Sequence, residues 1–206
     1  MSFSIVLEHL AMVIAAVFCS IVVGLPLGIA SYYFPRGRKA ILFVSDVLQT
    51  VPSLALLGII MIFVGAGKLT VIIGVTLYSL LPIVRNTYLG LSEVDSGVKE
   101  AARGMGMSRF YRLFKVELPL AFPVMFTGIR IATVNAIGTI VFAASVGGGG
   151  LGSIIYKGIR VMNVKWIALG TLSLMLMAIL FDAVMGIVEK KLNQKFTGKS
   201  LQMNAD

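Results

Sequence analysis

Residues 92–119, SEVDSGVKEAARGMGMSRFYRLFKVELP, form the longest polar stretch of the chain and separate two strongly apolar blocks. Their first part, residues 93–103, is rich in helix-forming residues and has acidic side chains near its start, which favours a helix. Gly104 and Gly106 then interrupt the pattern, as glycines do at a turn or a helix end. The stretch therefore predicts a helix, a glycine turn and a second short element.

The second element is predicted to be a short amphipathic helix capped by Ser108. Phe110, Leu113 and Phe114 share one face at i, i+3, i+4 spacing, and basic side chains lie on another. Pro119 is expected to end this helix and to start the next apolar block. Such an element suits docking into a groove of another protein, or resting on anionic lipid at a membrane surface. The physical argument alone leaves both readings open.

Apolar blocks flank the polar stretch, and the chain as a whole is 58% hydrophobic and only 13% charged. A soluble domain carries about 25% charged residues, so the bilayer is the expected solvent. A helix needs about 20 apolar residues to cross a hydrocarbon core of about 30 Å. We therefore predict an all-α polytopic membrane protein forming one transmembrane domain, with five spans at about residues 10–34, 40–64, 70–88, 120–144 and 167–188.

The basic residues are concentrated in the connections between these spans, although the net charge of +9 could also suggest nucleic acid. With the N-terminus outside and the C-terminus cytoplasmic, the basic turn at residues 35–39 and the polar connection at 89–119 both face the cytoplasm. Residues after the last span do so as well, and residues 145–166 become an external loop. This orientation obeys the positive-inside rule, so we expect it and expect no nucleic-acid partner.

The polar connection resembles the EAA signature of the permease subunits of ABC importers, which are driven by ATP. The signature reads Glu-Ala-Ala, three residues, Gly, nine residues, Ile, one residue, Leu-Pro; the one departure is a Val where Ile is usual. The matching residues are Glu100, Ala101, Ala102, Gly106, Val116, Leu118 and Pro119. In that family the segment is a coupling helix seated in a cleft of the ATPase. The resemblance implies the same contact here and a type I importer fold similar to that of methionine permeases.

Two further segments extend the resemblance. Residues 49–58, QTVPSLALLG, look like the second-span signature of osmoprotectant permeases. Residues 144–152, ASVGGGGLG, resemble the external loop of the same group and of methionine importers. The implied solute is glycine betaine, carnitine or choline, and the alternative is a methionine-type or other small-solute importer. An ATP-independent secondary transporter would give no reason for the coupling signature. The glycines expected at the outer mouth are Gly147, Gly148, Gly149, Gly150 and Gly152.

The family also implies partners. Two cytoplasmic ATPase subunits that bind ATP and Mg²⁺, a second permease chain (identical or homologous), an external solute-binding protein and membrane lipid are expected, in a bacterial cell membrane. We expect this chain to be non-catalytic and to hold no cofactor or metal, since it has one Cys and one His. Residues 147–152 lack the Lys-Ser/Thr of a phosphate-binding loop. His9 is a lone histidine that is expected to lie near an exposed terminus and to have no functional role.

Polar residues inside the predicted spans are candidates for the translocation path. Pro52 removes a backbone hydrogen bond and is expected to kink the second span. The side chains just before it then either satisfy freed backbone groups or face the path. A polar pair four residues apart in the fourth span either lines the path or bonds to a neighbouring helix. The candidates are Gln49, Thr50, Pro52, Ser53, Asn135 and Thr139.

Charged residues inside a span cost about 2.5–3.5 kcal/mol each on insertion scales, so they are expected to be paired. Arg130 and Asp182 lie at similar depth from the cytoplasmic ends of the fourth and fifth spans, which predicts a buried ion pair between them. Arg85 and Asp46 lie at comparable depth and could exchange partners with them. Snorkelling of the charged groups to the interface is the alternative.

Gly24 and Gly28 lie one turn apart in the first apolar block. Small residues at this spacing let helices approach closely. We expect them to pack the first span against another helix of the same chain.

Overall fold

A computed structural model describes residues 3–197 of the chain, with side chains described for residues 3–194. All regular structure in this part is helical, as predicted. The helices are α1 (Phe3–Tyr33), α2 (Pro35–Thr50), α3 (Ser53–Val64), α4 (Lys68–Tyr78), α5 (Leu80–Glu93), α6 (Ser96–Gly104), α7 (Arg109–Arg112), α8 (Leu118–Thr139), α9 (Gly152–Arg160) and α10 (Val164–Thr197). A π-helical turn covers Leu113–Glu117, and a 3₁₀ segment covers Ile140–Val146.

Four continuous helical segments in the described part are long and apolar enough to cross a membrane: Phe3–Tyr33, Lys68–Glu93, Arg109–Val146 and Val164–Gln194. Helices α2 and α3 make a fifth candidate only if they are counted as one broken span, because they meet at an angle of 100°. The prediction of about five spans agrees with this arrangement. The side chains of Lys195 and Lys199, part of the basic C-terminal segment used to orient the chain, lie outside the described residues.

The expectation that Pro52 merely kinks the second span is wrong, because the helix breaks there. Helix α2 ends at Thr50, Val51 is extended (φ −70°, ψ 127°), and α3 starts again at Ser53. The proline has no backbone N–H, and its ring disfavours helical geometry at the preceding residue. Since Val51 adopts the extended conformation instead, the chain turns sharply between the two helices.

Pro119 does not end the preceding helix, and the helix that contains the predicted fourth span begins at Arg109. The helix runs from Arg109 through the π-helical turn into α8, and the backbone N–H of Leu118 donates to the carbonyl of Leu113, five residues back. A proline in an ordinary α-helix clashes with the carbonyl four residues before it. The wider π turn lies directly before Pro119 and lets the helix continue without that clash.

Helices α1, α5 and α8 cross at close range in the bundle. As expected, Gly24 and Gly28 face another helix of the chain: a Cβ on Gly24 would lie 2.8 Å from a methyl of Ile83. A Cβ on Gly128 of α8 would lie 2.5 Å from the carbonyl oxygen of Pro82 in α5. Small residues at these positions therefore set how closely the three helices pack.

Helix α10 lies at the edge of the bundle, against α8 and α9. Among residues 164–194, only Gly170, Leu174 and Met177 are buried within the chain. Its large apolar side chains are exposed, among them Leu172, Leu176, Leu180 and Ile187. This face is suited to lipid or to another membrane subunit rather than to water.

Candidate functional site

The polar connection folds into an elbow, defined here as residues 94–119, at one end of the bundle. Asp95 starts α6, and its carboxylate accepts a hydrogen bond from the backbone N–H of Val98 (3.0 Å). Gly106 follows the end of α6 with a φ of +78°, a left-handed conformation that glycine adopts without strain. Ser108 then caps α7 by accepting from the backbone N–H of Tyr111 (3.3 Å). The predicted helix, glycine turn and capped second helix are all present.

The elbow is tied to the membrane helices by its cationic side chains. Lys99 donates to the carbonyl of Leu91 at the end of α5 (2.9 Å), and Arg109 donates to the carbonyl of Tyr33 at the end of α1 (3.1 Å). Ala102 is 2% exposed. Because α7 also continues into α8, a displacement of the elbow would be passed directly to α1, α5 and α8.

A buried ion pair stiffens the base of the elbow, and the sequence reasoning did not identify it. Arg112 donates to the carboxylate of Glu117 at 2.7 Å, and the two side chains are 8% and 1% exposed. The hydroxyl of Tyr33 also donates to Glu117, at 3.4 Å. The i, i+5 spacing of the pair matches the π-helical turn between the two residues. In an α-helix, side chains pair at i, i+4 instead.

The signature residues are divided between the surface and the interior of the elbow. Glu100, Ala101 and Gly106 are exposed, whereas Ala102 is buried. Val116, Leu118 and Pro119 are partly buried where the elbow joins α8.

The predicted apolar face of the second short helix is only partly used within the chain. Leu113 is 5% exposed, whereas Phe110 is 73% and Phe114 is 50% exposed. The two phenylalanine rings lie 4.7 Å apart. The elbow therefore exposes these two aromatic rings as well as the polar end of α6.

At the broken second span, the polar candidates make hydrogen bonds to the backbone. The side-chain amide of Gln49 donates to the carbonyl of Tyr78 at 3.0 Å. Pro82, four residues after Tyr78, has no N–H to offer that carbonyl, so the amide replaces the missing helical donor. Thr50 donates to Val47 in its own helix (2.8 Å), while Pro52 is exposed and Ser53 partly buried.

The two polar candidates of the fourth span do not reach a neighbouring helix. The hydroxyl of Thr139 donates to the carbonyl of Asn135 in its own helix, at 2.9 Å. Asn135 is exposed and lines an open groove of about 350 Å³ together with Thr127, Arg130 and Asp182. The groove, rather than an interhelical hydrogen bond, is the environment of this side chain.

The structure brings Arg130 and Asp182 together in a bidentate pair, with both N···O distances 2.7 Å. Glu189 adds a second carboxylate at 2.6 Å from Arg130 and also accepts from the hydroxyl of Thr127. The pair is not fully buried within the chain, because Arg130 and Asp182 are 30% and 46% exposed. Asp182 and Glu189 are seven residues apart on α10 and therefore lie on the same face of the helix. This spacing was the signal in the sequence that could have identified Glu189 as a second partner of Arg130.

Arg85 and Asp46 do not exchange partners with this cluster. They bind each other, at 3.1 Å and near the surface. The Arg85–Asp46 pair and the Arg130–Asp182 pair are therefore separate in the described structure.

At the opposite end of the bundle, the glycine-rich segment is more ordered than a simple loop. Residues 145–166 include the end of the 3₁₀ segment and the helix α9. Gly147, Gly149 and Gly150 have φ values of +75°, +80° and +74°. The backbone N–H of Gly150 donates to Glu8 (3.0 Å), which also binds Lys68 at 2.7 Å. The start of α1 thus holds this segment in place.

The expectation that His9 lies near an exposed terminus is wrong. Helix α1 begins at Phe3, so His9 lies almost two turns inside it and is 0% exposed. Its Nε2 lies 3.1 Å from the carbonyl oxygen of Ile137 in α8. Among residues 3–194, no group of three or more His, Cys, Asp or Glu side chains could hold a metal ion.

Known proteins are similar to this chain in both sequence and fold. The family model for the binding-protein-dependent transport system inner membrane component matches residues 8–197. The glycine betaine/carnitine/choline transport system permease protein OpuCD of Bacillus subtilis is 42% identical over 187 residues, covering 90% of this chain and 82% of that protein. The osmoprotectant import permease protein OsmW of Salmonella typhimurium is 40% identical over 184 residues, covering 87% of this chain and 86% of its own length.

A solved structure of the MetNI methionine ABC transporter, in an inward-facing conformation, contains a chain with the same fold. The TM-score is 0.83 at 24% sequence identity, and the match covers 93% of this chain and 99% of that chain. Together with the family match and the membrane-spanning helices, this makes the protein a multi-pass inner-membrane transport component. The chain belongs to the family of binding-protein-dependent transport system inner membrane components.

Proposed function

We propose that this chain is the non-catalytic permease subunit of an ABC importer and that its pathway carries a quaternary-ammonium osmoprotectant such as glycine betaine, carnitine or choline. The solute class is supported by the names of relatives that are about 40% identical over most of the chain. ATP and Mg²⁺ are bound by a separate ATPase, and this chain holds no cofactor of its own. A separate external protein binds the solute and delivers it.

The observation that carries the coupling proposal is the attachment of the elbow. Its exposed side is formed by Glu100, Ala101 and the Gly106 turn, while Lys99 and Arg109 fasten its inner side to α5 and α1. An ATPase bound to the exposed side moves the elbow as a rigid unit. ATP can then bias the spans between inward-facing and outward-facing states, because the ATPase binds one arrangement better than the other.

The proposed orientation places the N-terminus outside and the elbow and C-terminus in the cytoplasm, following the positive-inside rule. Two permease chains, identical or homologous, then form the pathway, with one ATPase under each elbow. The glycine-rich segment around Gly147–Gly152 and α9 lies at the outer mouth, where the binding protein docks. The groove lined by Asn135 and Arg130 is a candidate part of the path.

The coupling proposal is tested with the variant Gly106→Asp in the complex reconstituted with its ATPase and binding protein. An Asp at a φ of +78° strains the turn and places a carboxylate on the docking side. The expected result is a normally inserted protein that has lost the solute-stimulated ATPase activity.

The matched control is Gly37→Asp, which adds the same charge in α2, where an added Cβ would meet no atom within 4 Å. This control should keep the stimulation. Full stimulation in Gly106→Asp would count against docking at this turn.

The solute is tested by uptake of labelled glycine betaine, carnitine, choline and methionine into proteoliposomes, with and without internal ATP. The proposal expects ATP-dependent uptake of at least one quaternary ammonium compound. Uptake of methionine alone would transfer the assignment to the methionine type. Uptake that needs an ion gradient but no ATP would identify a secondary transporter.

A further inference from the structure

Two adjoining cavities lie beside the elbow, where the end of α1 meets α7. The first is polar, has a volume of about 500 Å³ and is lined by Tyr32, Tyr33, Arg103, Arg109 and Arg112. The second is apolar, has a volume of about 640 Å³ and lies between residues 26–34 of α1 and the side chains of Phe110, Leu113 and Phe114. Tyr33 and Arg109 line both cavities, so the two adjoin, one with a cationic lining and the other with an apolar lining.

The cationic cavity has an excess of positive charge. Its three arginines face one carboxylate, Glu117, which is already paired with Arg112. Arg109 stacks over the ring of Tyr33 at 4.3 Å and donates through one nitrogen to the carbonyl of Tyr33. A guanidinium has five N–H donors, so most of those of Arg109 can serve a ligand. Arg103 is exposed at the mouth of the same cavity. Guanidinium groups in this arrangement suit the oxygens of a phosphate.

The apolar cavity is lined by carbon-rich side chains and is open to the surroundings. Phe110 and Phe34 on its rim are 73% and 66% exposed, far more than aromatic side chains facing water would normally be. A hydrocarbon chain lying between α1 and α7 would cover them. Aromatic and cationic side chains at the same level are typical of a membrane interface.

The position along the bundle fits this interface. Helix α1 ends at Tyr33, and the basic residues Arg36, Arg38 and Lys39 follow in the next turn. The site thus lies where the apolar helix α1 ends and these basic residues begin, at the same end of the bundle as the elbow. Basic residues at the membrane surface attract anionic headgroups.

We propose that the two cavities form a binding site for one anionic phospholipid, with its phosphate on Arg103 and Arg109 and an acyl chain in the groove between α1 and α7. The charge excess selects the headgroup, and the adjoining apolar groove selects a lipid over a soluble anion. The site lies beside the exposed side of the elbow and is distinct from the solute path and from the Gly106 turn.

The test is native mass spectrometry of the full-length chain, purified in detergent without its ATPase and titrated with phosphatidylglycerol or phosphatidylcholine. Phosphatidylglycerol is expected to bind at least tenfold more tightly than phosphatidylcholine. Arg103→Gln, which changes an exposed side chain, should weaken phosphatidylglycerol binding several-fold, and Arg103→Gln with Arg109→Gln should remove the preference. The control Lys190→Gln with Lys191→Gln removes the same charge at the same end of the bundle and should leave the preference intact.

The groove is tested separately with Ala30→Trp, which keeps every charge and fills the apolar cavity. Phosphatidylglycerol binding should fall at least tenfold; Ala30→Leu serves in its place if the tryptophan variant is misfolded by circular dichroism. Equal binding of both lipids, or an equal loss in the lysine control, would mean diffuse attraction and would overturn the site.

Two further outcomes would also overturn the proposal. Displacement of the lipid by millimolar inorganic phosphate, with no effect of filling the groove, would identify a soluble-anion site. Loss of the bound lipid when the ATPase is added would identify the ATPase as the true occupant. Because the binding measurement uses the permease chain alone, its failure is independent of whether the elbow couples to ATP hydrolysis.

Discussion

The close contact between α1 and α5 predicts a large cost for one added methyl group, in Gly28→Ala. An added Cβ would lie 2.9 Å from the carbonyl oxygen of Val84 and even closer to the Cβ of Thr87. Neither atom can move away by rotating a flexible side chain, so the two helices must separate. Overpacking of this kind typically costs about 1–3 kcal/mol.

The matched control is Gly58→Ala in α3, where an added Cβ would meet no atom within 4 Å. Both variants gain about 1 kcal/mol of intrinsic helix propensity, so this gain cancels when they are compared. The remaining difference is the overpacking cost alone. Because a backbone oxygen is involved, we expect about 2 kcal/mol, or about a thirtyfold change in the folding equilibrium constant.

The assay is unfolding by sodium dodecyl sulfate in mixed micelles, followed by the fluorescence of Trp166, the chain's single tryptophan. Gly28→Ala should unfold at a clearly lower detergent fraction than Gly58→Ala. If the two variants unfold at the same fraction, α1 and α5 are not held at the distance that the structure gives, and the close-packing argument is wrong.

Two further predictions concern buried and intramembrane charges. Arg112→Leu leaves the carboxylate of Glu117, which is 1% exposed, without its cation. This variant should lower the free energy of unfolding by about 3–5 kcal/mol. The double variant Arg112→Leu with Glu117→Leu should recover most of the lost stability in the same unfolding assay. A double variant no more stable than the single would disprove the pairing. Arg130→Gln leaves the carboxylates of Asp182 and Glu189 without their cation, so less protein should accumulate in the membrane. Adding Asp182→Asn should partly restore the amount of protein that immunoblotting detects. Losses that simply add would show that Arg130 and Asp182 do not interact.

Features that depend on neighbouring residues in the sequence were predictable. The apolar blocks predict the helical membrane architecture, because a bilayer requires every backbone polar group to be satisfied within the segment. The elbow follows from Gly104, Gly106 and the cap at Ser108, all of which act within a few residues. Its family signature added the proposed partner, which no local argument could supply.

Most features that depend on how the helices face one another were not predictable, although the Arg130–Asp182 pair was. A proline within a span can kink or break it, and the extended conformation of Val51 decides for a break at Pro52. Gln49 was a candidate for the path, but its amide is used by the carbonyl of Tyr78, whose usual donor is missing because residue 82 is proline. Nothing near Gln49 in the sequence indicates this need, which arises 29 residues away.

The sequence by itself determined which segments are apolar enough to lie in lipid as helices and where the elbow turns, because hydropathy, glycines and caps act locally. Only the tertiary structure decided that His9 is buried against α8, that Glu189 joins Arg130 and Asp182, and that Arg112 pairs with Glu117. The contacts of His9 and Glu189 require the rotation and depth of each helix relative to its neighbours. Those are set by close packing at positions such as Gly28 and Gly128, which only the folded chain brings into contact.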